Sequence, residues 1–147
     1  MSDHNEITHR LMTERQAVEK IYQAFTLKDP ELINDALTPD WADIPLAPGQ
    51  APGPEGLKFI INGFIDAFPD VQIIIHDLIQ VPGQIAVRAE ITGTHKGNFM
   101  GIEPTGKFVS IQLNEIHHLN GERITTTWHM EDWFGLFMQL GQFPPLP

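Results

Sequence analysis

Hydrophobic residues recur at helical spacing through the first half of the chain. Residues 6–28 carry one apolar stripe, which predicts an amphipathic helix. Residues 55–68 repeat the i, i+3, i+4, i+7 pattern closely and predict a second long helix, which ends at Pro69. Between them, Asp29 is a suitable N-cap and proline is tolerated at the first helical position, so a short helix is predicted at residues 30–37.

In the second half of the chain the hydrophobic period changes to two, which predicts β-strands. The pair Asn120-Gly121 is a strong hairpin signal, because both central positions of a type I′ turn need positive φ. A short amphipathic helix follows the last strand at residues 133–140. The strands are predicted at residues 71–81 and 85–92, from Val109 up to the hairpin turn, and at residues 123–132.

Helices followed by hairpin-linked strands indicate an α+β fold, in which an antiparallel sheet carries the helices on one face. The proline- and glycine-rich residues 44–54 are expected to form a long loop, and the glycine-marked residues 93–106 a crossover. The length of 147 residues suits a single domain, so residues 1–147 are expected to fold as one unit.

Composition narrows the classes of partner and compartment. Nine Lys and Arg stand against 19 Asp and Glu, and the resulting charge of −10 disfavours binding to nucleic acid or to an anionic membrane. The absence of cysteine excludes disulfides and thiol chemistry. No apolar stretch approaches the roughly 18 residues of a membrane helix, and the first residues lack a signal-peptide pattern. A cytoplasmic location is therefore expected.

The last hairpin is where candidate chemistry is concentrated. If Asn120 and Gly121 form a two-residue loop, three pairs of side chains face the helices: Leu113 with Trp128, Ile111 with Met130, and Val109 with Asp132. An inward carboxylate among apolar side chains has a raised pKa and is suited to act as a general base. Alternatively, Asp132 is simply the N-cap of the final helix. Spacing alone leaves both interpretations open.

The same register turns Glu115 and His117 inward, opposite Thr126 and Ile124. They form either a second polar cluster inside the fold or an exposed end of the hairpin. Tyr22 and Trp128 either line a pocket or belong to the core.

The histidine and glutamate of the His129-x-Glu131 pair are expected on the outer face of the sheet. No third ligand is visible at a diagnostic spacing, so no metal site is predicted.

Three segments follow one another along the chain in an order that is typical of a known family. The segments are Ala67-Phe68-Pro69-Asp70; Gly93-Thr94-His95-Lys96-Gly97 with Gly101 and Pro104-Thr105-Gly106-Lys107; and Trp128-x-x-x-Asp132 with Gln139-Leu140-Gly141. On these segments the sequence resembles the SnoaL-like polyketide (ester) cyclases, within the nuclear transport factor 2-like group, over roughly residues 7–141.

This resemblance implies a cone: a curved antiparallel sheet with the N-terminal helices packed on its concave face, around an apolar cavity. It also implies that Asp132 is the base, with His117 assisting, in a ring closure that needs no cofactor or metal. Substrate contacts are expected from Trp128, Met130, Glu115, Tyr22 and His95. The sequence departs from the common family pattern at Thr126, where many members have glutamate.

The hypothesis of function is therefore a cyclase that performs an intramolecular aldol closure on an apolar, carbonyl-containing, polyketide-like ester. Two alternatives stay open: a hydrolase or dehydratase reaction in the same cavity, and a non-catalytic protein that binds a small molecule. The outer face of the sheet carries both polar and apolar side chains, which suits pairing with another copy, so a homodimer or higher homo-oligomer is expected.

Overall fold

The computed structural model describes residues 2–146 and consists of three α-helices, one 3₁₀ helix and five strands. The short 3₁₀ helix, Pro30–Asp35, is capped by the Asp29 side chain as predicted. In chain order the other elements are α1 Ser2–Thr26, β1 Leu37–Ile44, α2 Pro54–Ala67, β2 Gln72–Val81, β3 Gln84–Thr94, β4 Phe108–Asn120, β5 Arg123–Glu131 and α3 Trp133–Leu140.

The five strands form one sheet in the order β1-β5-β4-β3-β2. The neighbours from β2 to β5 are antiparallel, as expected, but β1 pairs with β5 in the parallel sense. The sheet is therefore mixed. β1 was not predicted, because Pro39 interrupts the segment and its apolar residues do not alternate; a proline is tolerated there since β1 is an edge strand.

Bulges curve this sheet. The register shifts between Ile75 and Asp77 on β2, and again on β5, where Thr125 is an extra residue opposite β4. A bulge bends its strand and increases the local twist, so the long strands bend instead of lying flat.

The helices pack on the concave face and close the core over it. On β3 every second side chain is buried, from Ile85 to Ile91, and α1 and α2 add the buried faces that their periodicity predicts, including Ile21 and Phe64. The predicted α+β class, with N-terminal helices on a curved sheet, is confirmed. No helix within residues 2–146 combines the length and the hydropathy that a membrane span needs.

A buried glutamate attaches α1 to the β2–β3 turn. The Glu14 side chain is 1% exposed, accepts a hydrogen bond from the Gly83 backbone N–H at 2.8 Å, and pairs with Arg10 at 2.5 Å. A buried carboxylate is tolerated only when its oxygens are satisfied, and here both are. The contact therefore holds the first helix against the far end of the sheet.

We predict that Glu14→Ala lowers the free energy of unfolding by about 1–3 kcal/mol, because the Gly83 N–H loses its acceptor inside the protein. The matched control is Glu19→Ala on the same helix, whose carboxylate pairs with Arg15 and is 30% exposed. That change should cost at most about 0.5 kcal/mol. Urea unfolding followed by circular dichroism measures both; equal losses would contradict the structural role of Glu14.

Candidate active site

The register of the β4–β5 hairpin decides which side chains enter the interior. Asn120 pairs with Arg123, so the two loop residues are Gly121 and Glu122, one position later than predicted. This displacement alone would preserve the faces of the strands. Thr125, however, lies between the paired residues as a bulge, and one extra residue exchanges the two faces of β5 beyond it.

The predicted pairings of Leu113 with Trp128, Ile111 with Met130 and Val109 with Asp132 are therefore wrong. In the structure the side chains that meet across the hairpin are Leu113 with Glu131, Glu115 with His129, and His117 with Thr127.

A cavity of about 660 Å³ lies between the concave face of the sheet, the helices and the loop that follows β1. Its lining is mostly apolar, with a large aromatic share: Phe25, Trp41, Phe64, Phe99, Trp133 and Phe137. A cavity of this size and character suits a small organic ligand. The polar side chains on its wall are Tyr22, Asp43, Gln50, Glu115, Thr127, His129 and Glu131.

Three carboxylates from three strands surround one histidine in this cavity. Nδ1 of His129 lies 2.8 Å from Glu131, and its Nε2 lies 3.2 Å from Asp43 and 2.7 Å from the Pro45 carbonyl oxygen. Ligand atoms of Glu115, His129 and Glu131 all fall within 4.8 Å of one another. Burial opposes the charge of His129, but hydrogen bonds to Asp43 and Glu131 outweigh it and raise its pKa to about 11. The ring is therefore an imidazolium at neutral pH.

Glu115 is the carboxylate whose charge is least supported. Its side chain is 12% exposed and accepts a hydrogen bond from the Tyr22 hydroxyl at 2.7 Å. Burial raises the pKa of Glu115 to about 7, and the charge of Glu131 adds to the rise, while the Tyr22 hydrogen bond and His129 oppose it. Burial also raises the pKa of Tyr22 well above its usual value. Near neutral pH, both the ionised and the protonated form of Glu115 are therefore populated.

His117 lies behind the cavity wall, fully buried. Its Nε2 is 2.8 Å from the Tyr22 hydroxyl and its Nδ1 is 2.8 Å from the Thr127 hydroxyl. Burial lowers the pKa of His117 to about 3, so the ring is neutral. It is not among the residues that line the cavity.

The other residues predicted for the site are distributed as follows. Glu115 and Tyr22 reach the cavity together. Met130 contributes to the lining although it is 71% exposed, and Trp128 contacts His118 on the outer face of the sheet. His95 is buried against Phe68, away from the cavity lining, where its Nδ1 accepts a hydrogen bond from the Thr105 N–H.

Asp132 does not point inward, so that expectation is wrong. The residue is exposed, and its carboxylate accepts a hydrogen bond from the Gly135 N–H at 2.9 Å as the N-cap of α3. The alternative that spacing left open, a helix cap, describes its position.

His129 and Glu131 face the cavity, so their predicted outward position is wrong. The bulge at Thr125, which exchanges the two faces of β5, is the cause for these two residues as it is for Asp132. The only signal in the sequence was that the two side chains share a face of the strand, because no local sequence pattern predicts the bulge.

Glu115 is the third potential metal ligand, which the spacing of residues in the sequence did not show. A cation, however, needs the lone pair of a neutral imidazole, and both nitrogens of His129 carry protons that are already donated. The histidine itself thus supplies the positive charge.

Comparisons with known proteins identify the class. The SnoaL-like polyketide cyclase profile matches residues 15–140, so the chain belongs to this family. No curated protein sequence matches the chain.

Solved structures share the fold. TsrD from Streptomyces laurentii superposes with a TM-score of 0.82 at 23% identity, covering 90% of this chain and 97% of that one. A protein from Bacillus cereus named as a polyketide cyclase is 31% identical over 85% of this chain and 78% of its own, with a TM-score of 0.74. IdmH from Streptomyces antibioticus, also named as a polyketide cyclase, is 27% identical over 87% and 98%, with a TM-score of 0.76.

We predict that Asp132→Ala lowers the free energy of unfolding by about 1 kcal/mol, because the first turn of α3 loses its cap. Asp132→Ser, which keeps a capping oxygen, should retain most of that stability. Thermal and urea unfolding measure the difference. A serine variant as unstable as the alanine variant would contradict the capping role.

Proposed function

We propose that this protein closes a ring in a neutral, apolar, polyketide-like ester by an intramolecular aldol reaction, with Glu115 as the general base. One observation carries the proposal: the carboxylate of Glu115, with a pKa of about 7, lies on the wall of a largely apolar cavity. A base works best when its pKa lies near the operating pH. Asp132, with its exposed carboxylate committed to the helix cap, is not proposed for this role.

The reaction needs one proton to move out and back. Ionised Glu115 takes a proton from a carbon between two carbonyl groups, and the C–H electron pair becomes an enolate. The enolate carbon attacks a second carbonyl of the same molecule, which forms the new C–C bond. The resulting alkoxide takes the proton back from Glu115, so the product is an isomer of the substrate and no further reactant is consumed.

The imidazolium of His129 supports the charged intermediates. A ring nitrogen of His129 lies within 4.8 Å of a carboxylate oxygen of Glu115. The positive charge of the ring is therefore close to the enolate that forms beside Glu115. Asp43 and Glu131 hold the ring in place, and a fixed charge needs no reorganisation during the reaction. The largely apolar lining lowers the local polarity, which strengthens this interaction.

We predict that Glu115→Gln slows proton abstraction by about 10²–10⁴-fold, because the amide cannot act as a base. The probe is ethyl benzoylacetate in D₂O, with deuterium uptake at its acidic methylene followed by ¹H NMR and corrected for the buffer reaction. For the unmodified protein, the rate at low probe concentration should rise with pH through about 7 and then level off, because only ionised Glu115 reacts.

The matched control for this measurement is Asp132→Asn, which keeps a capping oxygen and should exchange deuterium at the unmodified rate. A protein that binds the probe without accelerating exchange would instead support the non-catalytic alternative. Loss of exchange in Asp132→Asn, with Glu115→Gln unaffected, would assign the base to Asp132.

We further propose that the outer face of the sheet pairs with a second copy of this chain. A row of uncharged side chains crosses all five strands as direct neighbours: Ile79, Ala86, Ile116, Trp128 and Ile44. Ile79 is 72% exposed and Ile116 is 49% exposed, so much apolar surface faces water. With a charge of −10 on each chain, an uncharged stripe is where two copies repel one another least.

We predict that Ile116→Lys converts the protein to a monomer, because two lysines would meet at the centre of the interface. Multi-angle light scattering at micromolar concentration measures the mass. Phe59→Lys, at a 71% exposed position on α2, is the matched control and should remain a dimer. A monomeric unmodified protein would refute the pairing.

A further inference from the structure

A continuous chain of hydrogen bonds runs from the cavity into the core behind it. It starts at the carboxylate of Glu115 and passes through the Tyr22 hydroxyl at 2.7 Å to Nε2 of His117 at 2.8 Å. Nδ1 of His117 is 2.8 Å from the Thr127 hydroxyl, which in turn lies 3.1 Å from Nε1 of Trp41. The five residues come from α1, β4, β5 and β1, so only the folded protein assembles them.

The chemistry of its members gives this chain a direction. Ionised Glu115 only accepts, so the single hydrogen of the Tyr22 hydroxyl is donated to it. The Tyr22 oxygen can then only accept from His117, which requires a proton on Nε2. A neutral ring with a proton on Nε2 has a bare Nδ1, and within residues 2–146 the Thr127 hydroxyl is the one group placed to donate to it. Thr127 in turn accepts from the indole N–H of Trp41, which is always a donor.

We infer that His117 is held as its Nε2–H tautomer by the charge of Glu115, and that it acts as a positioning residue which keeps the Tyr22 hydroxyl hydrogen on that carboxylate. The other tautomer would place the Nε2 lone pair against the Tyr22 oxygen. Tyr22 would then turn its hydrogen toward His117, and Glu115 would lose its donor. This assignment changes the role expected for His117, which does not reach the substrate itself.

The inference deepens the proposed function and rests on it only for the meaning of the chain in catalysis. No hydrogen bond to the second carboxylate oxygen of Glu115 is found among residues 2–146, so that oxygen remains for the proton of the substrate. A fixed donor on the first oxygen orients the carboxylate while leaving the second oxygen available.

The tautomer can be observed directly by ¹H–¹⁵N correlation NMR of ¹⁵N-histidine-labelled protein at pH 8, where Glu115 is mostly ionised. We expect a protonated, pyrrole-type Nε2 and a bare, pyridine-type Nδ1 for His117. A protonated Nδ1, or two protonated nitrogens, would overturn the inference.

Two variants then test which end of the chain controls the tautomer. Tyr22→Phe breaks the connection to Glu115, so His117 should become a mixture of both tautomers. Thr127→Val removes the donor to Nδ1 but leaves the Glu115 end intact, so Nε2 should stay protonated while the Nδ1 resonance moves. Thr126→Val, whose side chain lies on the opposite face of β5 from Thr127, is the matched control and should change neither nitrogen. An unchanged tautomer in Tyr22→Phe would overturn the control by Glu115.

A third measurement separates this inference from the proposed function. Titration of the ¹³C-labelled Glu115 carboxyl should show a midpoint near 7 in the unmodified protein, moved upward by about one pH unit in Tyr22→Phe, because the ionised form loses its donor. No movement would refute the positioning role. If tautomer and titration behave as expected but deuterium exchange is not accelerated, the proposed function fails while the chain of hydrogen bonds stands.

Discussion

Side chains on a β-strand alternate between two faces, and in this protein one bulge decides which set of side chains on β5 meets the cavity. Because Thr125 is an extra residue that the register pairs with no residue of β4, His129 and Glu131 turn inward and Trp128 turns outward. The carboxylate–imidazolium cluster, the pKa of Glu115 and the uncharged outer row all depend on this exchange of faces. A regular hairpin would turn Trp128 and Met130 toward the cavity in place of His129 and Glu131.

Ionisable groups inside an apolar cavity are costly unless their charges are balanced. Asp43, Glu115 and Glu131 would repel one another, and the imidazolium of His129 offsets only part of their combined charge. The remaining imbalance falls on Glu115, because burial and the charge of Glu131 raise its pKa to about 7 and it takes up a proton near neutral pH. Perturbed pKa values of this kind cluster at functional sites, which is why this imbalance supports the proposal that Glu115 is a base.

Family membership and chemistry rest on different observations here. The profile match and the shared fold place the chain among the SnoaL-like polyketide cyclases, while the same fold can host unrelated reactions. The Trp-x-x-x-Asp motif supports the family assignment, yet its aspartate caps α3 in this structure. Glu115, which no motif marked, is the residue that we propose as the base, on its position in the cavity wall and its raised pKa.

Local periodicity was sufficient to predict most helices and strands and the α+β class, and three short motifs carried the resemblance to the family, because each of these signals depends on residues close together in the chain. Glu115 and Tyr22 were also identified, since their inward positions do not depend on the bulge. The strand β1, its parallel pairing and the positions of Asp132, His129 and Glu131 were not predicted correctly. Those depend on a shift of one residue between paired strands, and pairing is decided by contacts far apart in sequence. Apart from β1, the elements could be predicted from the sequence alone; only the tertiary structure decided which side chains of β5 turn toward the cavity, because that choice depends on the bulge at Thr125.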